Sequence, residues 1–170
     1  MYLIQVNKGG TFMERKELLD ALVKENLTLS SMESVTGGLF AAAFTSIPGA
    51  SKTFKGGLIT YSNEAKIAAG VKKETIDSEG AISFACAKEM ALKASTFFET
   101  DCSVSFTGNA GPDAIEDKPV GLVFIGVRVK STIYTYKLEL KGDRDVIRKQ
   151  CVDFAFTTLK EKISALSSND

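Results

Sequence analysis

The sequence predicts a single α/β domain, a three-layer α/β/α arrangement around a mixed β-sheet. Two observations lead to this prediction. Stretches with helical spacing of apolar residues alternate with short apolar strands along most of the chain. Near the C-terminal end two strands follow each other directly, which is typical of an antiparallel hairpin beside a parallel sheet. A length of 170 residues is enough for one domain with a sizeable core.

The first part of the chain predicts two helices and two strands in alternation. Residues 13–26 have the spacing of an amphipathic helix, with an apolar face formed by Leu18, Leu19, Leu22 and Val23. A short strand over residues 27–33 leads into a helix that opens at Thr36-Gly37-Gly38 and ends near Ile47-Pro48-Gly49. A strand around residues 54–61 follows.

The middle of the chain continues the alternation. Ser62 or Asn63 can cap a short helix that carries Lys66. Residues 83–98 predict a second long helix, and residues 103–106 predict a short strand that runs into a glycine-rich loop.

The C-terminal part predicts a hairpin and a last helix. Residues 120–130 form a mostly apolar strand, and apolar residues alternate with polar ones from Tyr134 to Leu140, as in a half-buried strand. Asp143 can cap the last helix, whose buried face carries Val152, Phe156, Leu159 and Ile163. Outside this domain, placed at residues 13–166, we expect a loose leader over residues 1–12 and a frayed tail over residues 167–170.

Composition limits the partners of the protein. Lysine plus arginine equals aspartate plus glutamate, at 21 each, so we expect neither nucleic acid nor a membrane as a partner. The three cysteines, Cys86, Cys102 and Cys151, lie far apart, which suits buried thiols in a reducing cytoplasm. No CxxC pair exists to hold zinc, and we expect neither a metal nor a cofactor.

The sequence has no histidine. A Ser-His-Asp triad, a Cys-His dyad and any histidine-ligated metal site are therefore excluded. An enzyme of this composition that used a hydroxyl nucleophile would need another base. Lysine is the usual substitute, provided that burial or neighbouring charge lowers its pKa.

The first candidate motif is Glu33-Ser34-Val35-Thr36-Gly37-Gly38. A strand delivers Ser34 to a turn, and free amides at the start of the following helix can bind an anion or a developing oxyanion. The alternative interpretation is an ordinary strand-to-helix turn with a serine or threonine cap.

The second candidate is the segment from Gly56 to Lys66. Tyr61 at the end of a strand and Lys66 about one turn into the next helix can face one crevice, where lysine could take the proton of Ser34 with the tyrosine hydroxyl assisting. Taken separately, Lys66 would be a solvated helix residue and Tyr61 a residue of the rim.

Two further motifs could bind a ligand. The loop Thr107-Gly108-Asn109-Ala110-Gly111-Pro112-Asp113 suits close contact between its backbone and a phosphate, or is simply a tight turn. In the motif Gly142-Asp143-Arg144-Asp145-Val146-Ile147-Arg148, Arg144 could clamp a phosphate, or pair with Asp143 or Asp145 on the surface.

These motifs, in this order and together with Pro48-Gly49-Ala50-Ser51 and Lys118-Pro119-Val120-Gly121, resemble those of the CinA C-terminal domain family. The resemblance covers roughly residues 13–163. The family usually has cysteine where this chain has Val35, an apolar residue at Asn109, and a glycine pair at Ala114-Ile115.

The resemblance implies hydrolysis of the carboxamide of nicotinamide mononucleotide, a pyridine mononucleotide, to nicotinate mononucleotide and ammonia in pyridine nucleotide recycling. It places the catalytic serine, tyrosine and lysine on Ser34, Tyr61 and Lys66, and it implies a homodimer. The residues expected to bind the substrate are Thr36, Gly37, Gly38, Thr107, Gly108, Asn109, Ala110, Gly111 and Arg144. The other hypotheses are a nucleotide-binding module without catalysis and an amidase for a different amide.

Overall fold

A five-stranded mixed sheet forms the centre of the protein. The structure, a computed structural model, describes residues 12–167. Its strands are β1 (Leu29–Glu33), β2 (Phe54–Ile59), β3 (Cys102–Gly108), β4 (Leu122–Val129) and β5 (Thr132–Glu139). Their order in the sheet is β2-β1-β3-β4-β5. The first three strands in this order are parallel, and β4 and β5 are antiparallel to their neighbours.

Helices cover both faces of the sheet. They are α1 (Phe12–Lys24), α2 (Leu39–Thr45), α3 (Asn63–Ala68), α4 (Lys73–Glu79), α5 (Phe84–Phe98) and α6 (Arg144–Ser164). The largest apolar cluster joins α1, α2 and α6 to one face, and two smaller clusters join α4 and α5 to the other. The predicted three-layer fold with a mixed sheet is therefore confirmed.

Helix α5 packs close to the sheet because small residues face it. The hydroxyl groups of Ser103 and Ser105 on β3 donate to the carbonyl oxygens of Ala91 and Ala87, at 2.6 Å each. On β4, a Cβ at Gly126 would lie 2.5 Å from the carbonyl oxygen of Ala87. These contacts fix α5 against the strands whose ends carry the candidate site.

Several predicted boundaries are wrong. Helix α2 begins at Leu39, because Gly37 and Gly38 have positive φ angles and form a turn instead. Helix α4 was not expected, since its sequence has one buried apolar residue, Ile76, and no helical period. Val23 does not belong to the buried face of α1, because its side chain is 46% exposed.

The ends of the chain are only partly described. Phe12, placed in the expected leader, is the first residue of α1, and residues 1–11 lie outside the described part. Of the expected frayed tail, Ser167 is described, and its hydroxyl donates to the carboxylate of Glu25. Between residues 12 and 167, no helix is long and apolar enough to cross a membrane.

Candidate active site

The carboxyl ends of three parallel strands meet at one edge of the sheet. Ser34 follows β1, Thr60 follows β2, and Asn109 begins the loop after β3. The Ser34 amide donates to the carbonyl oxygen of Phe106 and the Thr60 amide to that of Glu33, at 2.9 Å each, which extends the ladder past the strand ends. Open α/β sheets bind their ligands at this edge.

Ser34 and Lys66 are in direct contact at this edge. Helix α3 is capped by Ser62, whose hydroxyl oxygen accepts a hydrogen bond from the amide of Ala65, so Lys66 lies in the first turn. The Lys66 Nζ lies 2.9 Å from the Ser34 Oγ and 3.0 Å from the carbonyl oxygen of Thr60. Lys66 is only 2% exposed, so the interpretation of this residue as a solvated helix lysine is wrong.

Burial determines the electrostatics of this lysine. Desolvation lowers the pKa of the Lys66 amine below its ordinary value of 10.5, although Cys86, Glu116 and Glu64 favour the charged form. A neutral amine can donate one N–H to the Thr60 carbonyl oxygen and still offer its lone pair to the Ser34 hydroxyl. The pair thus has the geometry that a serine nucleophile and a lysine base require.

The carboxylate of Glu33 occupies the start of helix α2. It accepts hydrogen bonds from the amides of Gly38 at 3.0 Å, Phe40 at 3.1 Å and Ala41 at 2.9 Å, and from the Thr36 hydroxyl at 2.7 Å. The negative charge at this helix start therefore belongs to the protein itself. The Gly38 amide and the Thr36 hydroxyl both donate to Glu33, and the role of Thr36 and Gly38 in substrate binding stays a prediction.

Gly37 and Gly38 serve the shape of the turn. The Gly37 amide donates to the carbonyl oxygen of Ser34 at 3.1 Å, so it too has an acceptor within the protein. The φ angles of Gly37 and Gly38 are +56° and +98°, in the region that favours glycine. A Cβ at Gly38 would also lie 3.1 Å from the Cδ1 of Ile59.

Tyr61 makes its hydrogen bond to Arg144 rather than to the Ser34–Lys66 pair. Its side chain is 63% exposed, and its hydroxyl accepts a hydrogen bond of 2.8 Å from Arg144. Arg144 also donates to the carbonyl oxygen of Gly111 at 2.6 Å. Among residues 12–167, no hydrogen bond joins Tyr61 to Ser34 or Lys66, and the catalytic role expected for Tyr61 stays a prediction.

Arg144 makes neither of the surface ion pairs that were the alternative for it. Asp143 accepts a hydrogen bond from the amide of Val146 and caps α6, as predicted, and Asp145 pairs with Lys149 at 3.0 Å. The exposed guanidinium of Arg144 instead bridges the residues that follow β2 and β3. It remains the cationic group placed to receive an anionic ligand at the rim.

The end of β3 and the loop after it use their polar side chains internally. Thr107 and Gly108, which were expected in the loop, are the last residues of β3. The Thr107 hydroxyl donates to the carbonyl oxygen of Ala81 at 2.7 Å. The Asn109 amide group donates to the carbonyl oxygen of Lys118 at 3.3 Å and accepts from the Gly111 amide at 2.9 Å. Both side chains are buried and the Gly111 amide has an acceptor within the loop, and the substrate contacts expected for Thr107, Asn109 and Gly111 stay predictions.

Gly108 and Ala110 differ in what their backbone does. A Cβ at Gly108 would lie 2.7 Å from the carbonyl oxygen of Leu122, so glycine is needed there for packing against β4. The Ala110 amide, in contrast, has no acceptor among the described residues and stays a candidate donor to a ligand.

Arg148 is the residue of this region that the sequence analysis missed. Its Nε donates to the carbonyl oxygen of Val35 at 3.2 Å, and its Nη2 donates to that of Thr36 at 2.8 Å. The signal was present in the sequence, because Arg148 lies four residues after Arg144 and so on the same face of a helix.

The described residues contain no group of three or more cysteine, aspartate or glutamate side chains that could hold a metal ion. The three cysteines are buried and unpaired, and burial raises the pKa of the Cys86 thiol to about 11. Cys86 is therefore a neutral neighbour of Lys66 near pH 7.

Comparison with known proteins identifies the family. The family model for the CinA C-terminal domain matches residues 13–163, which is nearly all of the chain. The chain belongs to the CinA C-terminal domain family. A crystal structure of a CinA superfamily protein from Klebsiella pneumoniae has a TM-score of 0.89 at 31% identity, covering 92% of this chain and 99% of that one.

Longer CinA proteins are similar in sequence. A CinA-like protein from Petrotoga mobilis is 45% identical over 148 residues, which are 86% of this chain and 37% of that protein. A CinA-like protein from Fervidobacterium nodosum is 45% identical over 157 residues, 89% of this chain and 38% of that protein. The chain thus spans little more than a third of the length of these curated relatives.

Proposed function

We propose that the chain is a metal-independent serine amidohydrolase that converts nicotinamide mononucleotide to nicotinate mononucleotide and ammonia. The observation that carries the proposal is the 2.9 Å contact between the Ser34 Oγ and the Nζ of buried Lys66. Because burial lowers the pKa of Lys66, its amine can act as a base closer to neutral pH than an exposed lysine.

In the acylation step, the Ser34 Oγ bonds to the carbonyl carbon of the carboxamide while its proton moves to the Lys66 Nζ. The electron pair of the C=O bond moves onto the carbonyl oxygen and gives a tetrahedral intermediate. When the intermediate collapses, the C–N bond breaks, and Lys66 gives its proton to the departing nitrogen. Ammonia leaves, and an ester on Ser34 remains.

In the deacylation step, water replaces the amide nitrogen. Neutral Lys66 takes one proton of the water as its oxygen bonds to the ester carbon. The second tetrahedral intermediate then expels the Ser34 oxygen, which recovers its proton from Lys66. The products are a carboxylic acid, which ionises near pH 7, and the free enzyme.

The substrate class is supported by the family resemblance and by one cation at the rim. Arg144 has donor groups left after its bonds to Tyr61 and Gly111, so its guanidinium can also bind a phosphate. Tyr61 would orient Arg144 or touch the substrate. The partner is then a small pyridine mononucleotide, and the role is the recycling of pyridine nucleotides in the cytoplasm.

Val35 and Asn109, where this chain departs from the family pattern, are the sequence features that favour a nucleotide-binding module without catalysis, and both are compatible with the proposed chemistry. Val35 packs into the main apolar cluster, and the Asn109 amide bonds within its own loop. Neither residue replaces a group that the chemistry above needs. An amidase for a different amide has the same catalytic pair and is distinguished by its substrate.

The test is ammonia release by the purified chain from nicotinamide mononucleotide, nicotinamide riboside, nicotinamide and glutamine, after exhaustive dialysis against a chelator. We expect release from the mononucleotide, with a much lower kcat/KM for the riboside. A higher kcat/KM for another amide would mean that the enzyme acts on that amide instead. Tight binding of the mononucleotide without ammonia release would favour a nucleotide-binding module without catalysis.

The assembly is a separate part of the proposal. From the family resemblance we propose a homodimer, and light scattering on the purified chain tests it. A mass of about 37 kDa, twice that of one chain of 18.3 kDa, is expected, and a mass of one chain would contradict it.

A further inference from the structure

The backbone amides that follow Ser34 divide into two groups. Most of them between Ser34 and Ala41 have an acceptor in the protein. The amides with an acceptor are those of Ser34, Gly37, Gly38, Leu39, Phe40 and Ala41. Within the part of the chain that the structure describes, the amides of Val35 and Thr36 donate to no protein atom.

These two amides are not simply solvated. Val35 is 5% exposed and Thr36 is 0% exposed. Buried backbone amides without an acceptor are rare in folded proteins, and two in succession call for a ligand. They follow directly on Ser34, and the Val35 nitrogen is joined to the Ser34 Oγ through only the Cβ, the Cα and the carbonyl carbon.

Arg148 holds the peptide group to which the Thr36 amide belongs, and the Gly37 amide holds the peptide group to which the Val35 amide belongs. The C=O and the N–H of a trans peptide point in opposite directions in one plane. By binding the carbonyl oxygen of Val35, the Arg148 guanidinium directs the Thr36 N–H away from α6. Its second bond, to the carbonyl oxygen of Thr36, fixes the next peptide, whose Gly37 N–H closes the turn onto the Ser34 carbonyl oxygen.

We propose that the amides of Val35 and Thr36 form the oxyanion hole for the tetrahedral intermediate on Ser34. Arg148 is the positioning residue that orients the Thr36 N–H directly and the Val35 N–H through the Gly37 turn. The inference rests on the proposed serine amidohydrolase function. The charge that forms on the carbonyl oxygen when the Ser34 Oγ attacks is stabilised by the two N–H groups, and it returns to the C=O bond when the leaving group departs.

This role differs from that of the neighbouring charged groups. Arg148 donates to two main-chain carbonyl oxygens, and its nearest ionic partner, Asp145, is 3.8 Å away on the exposed side of α6. Glu33 holds the other side of the same turn and leaves the two amides free. Arg148 touches no reacting atom, so its effect must be seen in the transition state rather than in substrate binding.

The first test compares Arg148→Met and Arg148→Lys with the control Lys149→Ala, which changes an exposed residue of the same helix. Loss of one oxyanion-hole donor typically lowers kcat by about 100-fold to 1,000-fold, so a disordered turn should lower it at least ~10-fold. We expect that loss with KM changed less than ~3-fold, partial recovery in Arg148→Lys, and rescue of Arg148→Met by added guanidinium.

A second measurement does not depend on the natural substrate. An alkyl fluorophosphonate should phosphonylate Ser34, with fluoride as the leaving group and the phosphoryl oxygen in the proposed oxyanion hole. We expect the second-order rate of labelling, read by peptide mass spectrometry, to fall at least ~10-fold in both Arg148 variants and to be unchanged in Lys149→Ala. Thermal unfolding shows whether each variant is folded.

The outcomes separate the two proposals. Equal labelling rates in folded Arg148→Met and wild-type protein would overturn the role of Arg148, while hydrolysis by the wild type would still support the proposed function. A variant in which KM rises and kcat is unchanged would also overturn it. If wild-type Ser34 is neither labelled nor required for ammonia release, both proposals fall.

Discussion

Replacing Lys66 with methionine should change both the activity and the pH dependence of stability. Methionine has a similar length but no amine. It removes the titratable group and leaves the Ser34 hydroxyl and the Thr60 carbonyl oxygen without the partner that lies 2.9 and 3.0 Å away. Since no base remains to take the Ser34 proton, kcat should fall by roughly 100-fold to 10,000-fold.

The stability change follows from the lowered pKa of Lys66. In the unfolded chain the amine keeps its ordinary pKa of 10.5, whereas burial lowers its pKa in the fold. Between these two pKa values the unfolded state binds more protons, so the free energy of unfolding of the wild type rises with pH, by up to about 1.4 kcal/mol per pH unit. Below the folded pKa both states are protonated, and this contribution to the slope vanishes.

Two opposing effects determine how the free energies of unfolding of the wild type and Lys66→Met differ near pH 7. The methionine variant avoids the desolvation of an ammonium group, but each buried polar group left unpaired costs roughly 1–3 kcal/mol. We therefore expect the two proteins to be of comparable stability near pH 7. As the pH approaches 10, the free energy of unfolding of the wild type should increase relative to that of Lys66→Met.

The assay is urea unfolding followed by circular dichroism at intervals from pH 6 to pH 10. Lys149→Met, at an exposed position of α6, is the control and should follow the wild type at every pH. A constant difference between wild type and Lys66→Met over this range would refute the argument, because it would mean that Lys66 keeps its ordinary pKa in the fold.

Three further predictions concern the rest of the site. Arg144→Ala should raise KM for nicotinamide mononucleotide far more than for its riboside, and equal effects on the two substrates would show that Arg144 does not bind the phosphate. Glu33→Gln should lower the free energy of unfolding by roughly 2–4 kcal/mol in urea, because one amide oxygen replaces a carboxylate that accepts from three amides and the hydroxyls of Thr36 and Ser31. The control Ser31→Ala removes only the long hydrogen bond from Ser31 to Glu33, so its effect should be smaller. Activity should survive exhaustive chelation. A loss of activity that added zinc or cobalt reverses would contradict the metal-independent mechanism.

The layers of the fold could be predicted from the sequence because apolar spacing is local. The alternation in β5 and the spacing of Val152, Phe156, Leu159 and Ile163 in α6 depend only on neighbours along the chain, and all four of these α6 residues are buried. Helix α4 was missed for the same reason, since seven residues with one buried apolar side chain carry no period.

The candidate site was predictable in its residues and less so in its contacts. Because the sequence has no histidine, a lysine is the expected base for Ser34, and the structure places Lys66 in contact with it. The burial of Glu33 was not predictable, because its donors become neighbours only when the chain turns back at Gly37. Nor was the pairing of Tyr61 with an arginine more than 80 residues later in the sequence.

The central claim, that Ser34 is the nucleophile, is tested most directly by looking for the ester that it must form. Wild-type protein mixed with excess nicotinamide mononucleotide is quenched in acid during turnover, and its peptides are analysed by mass spectrometry, beside Ser34→Ala and the exposed control Ser46→Ala. The mechanism predicts an acyl mononucleotide on the peptide that contains Ser34, in the wild type and in Ser46→Ala, and neither adduct nor turnover in Ser34→Ala. An adduct on another residue, or turnover in Ser34→Ala close to that of the wild type, would contradict it.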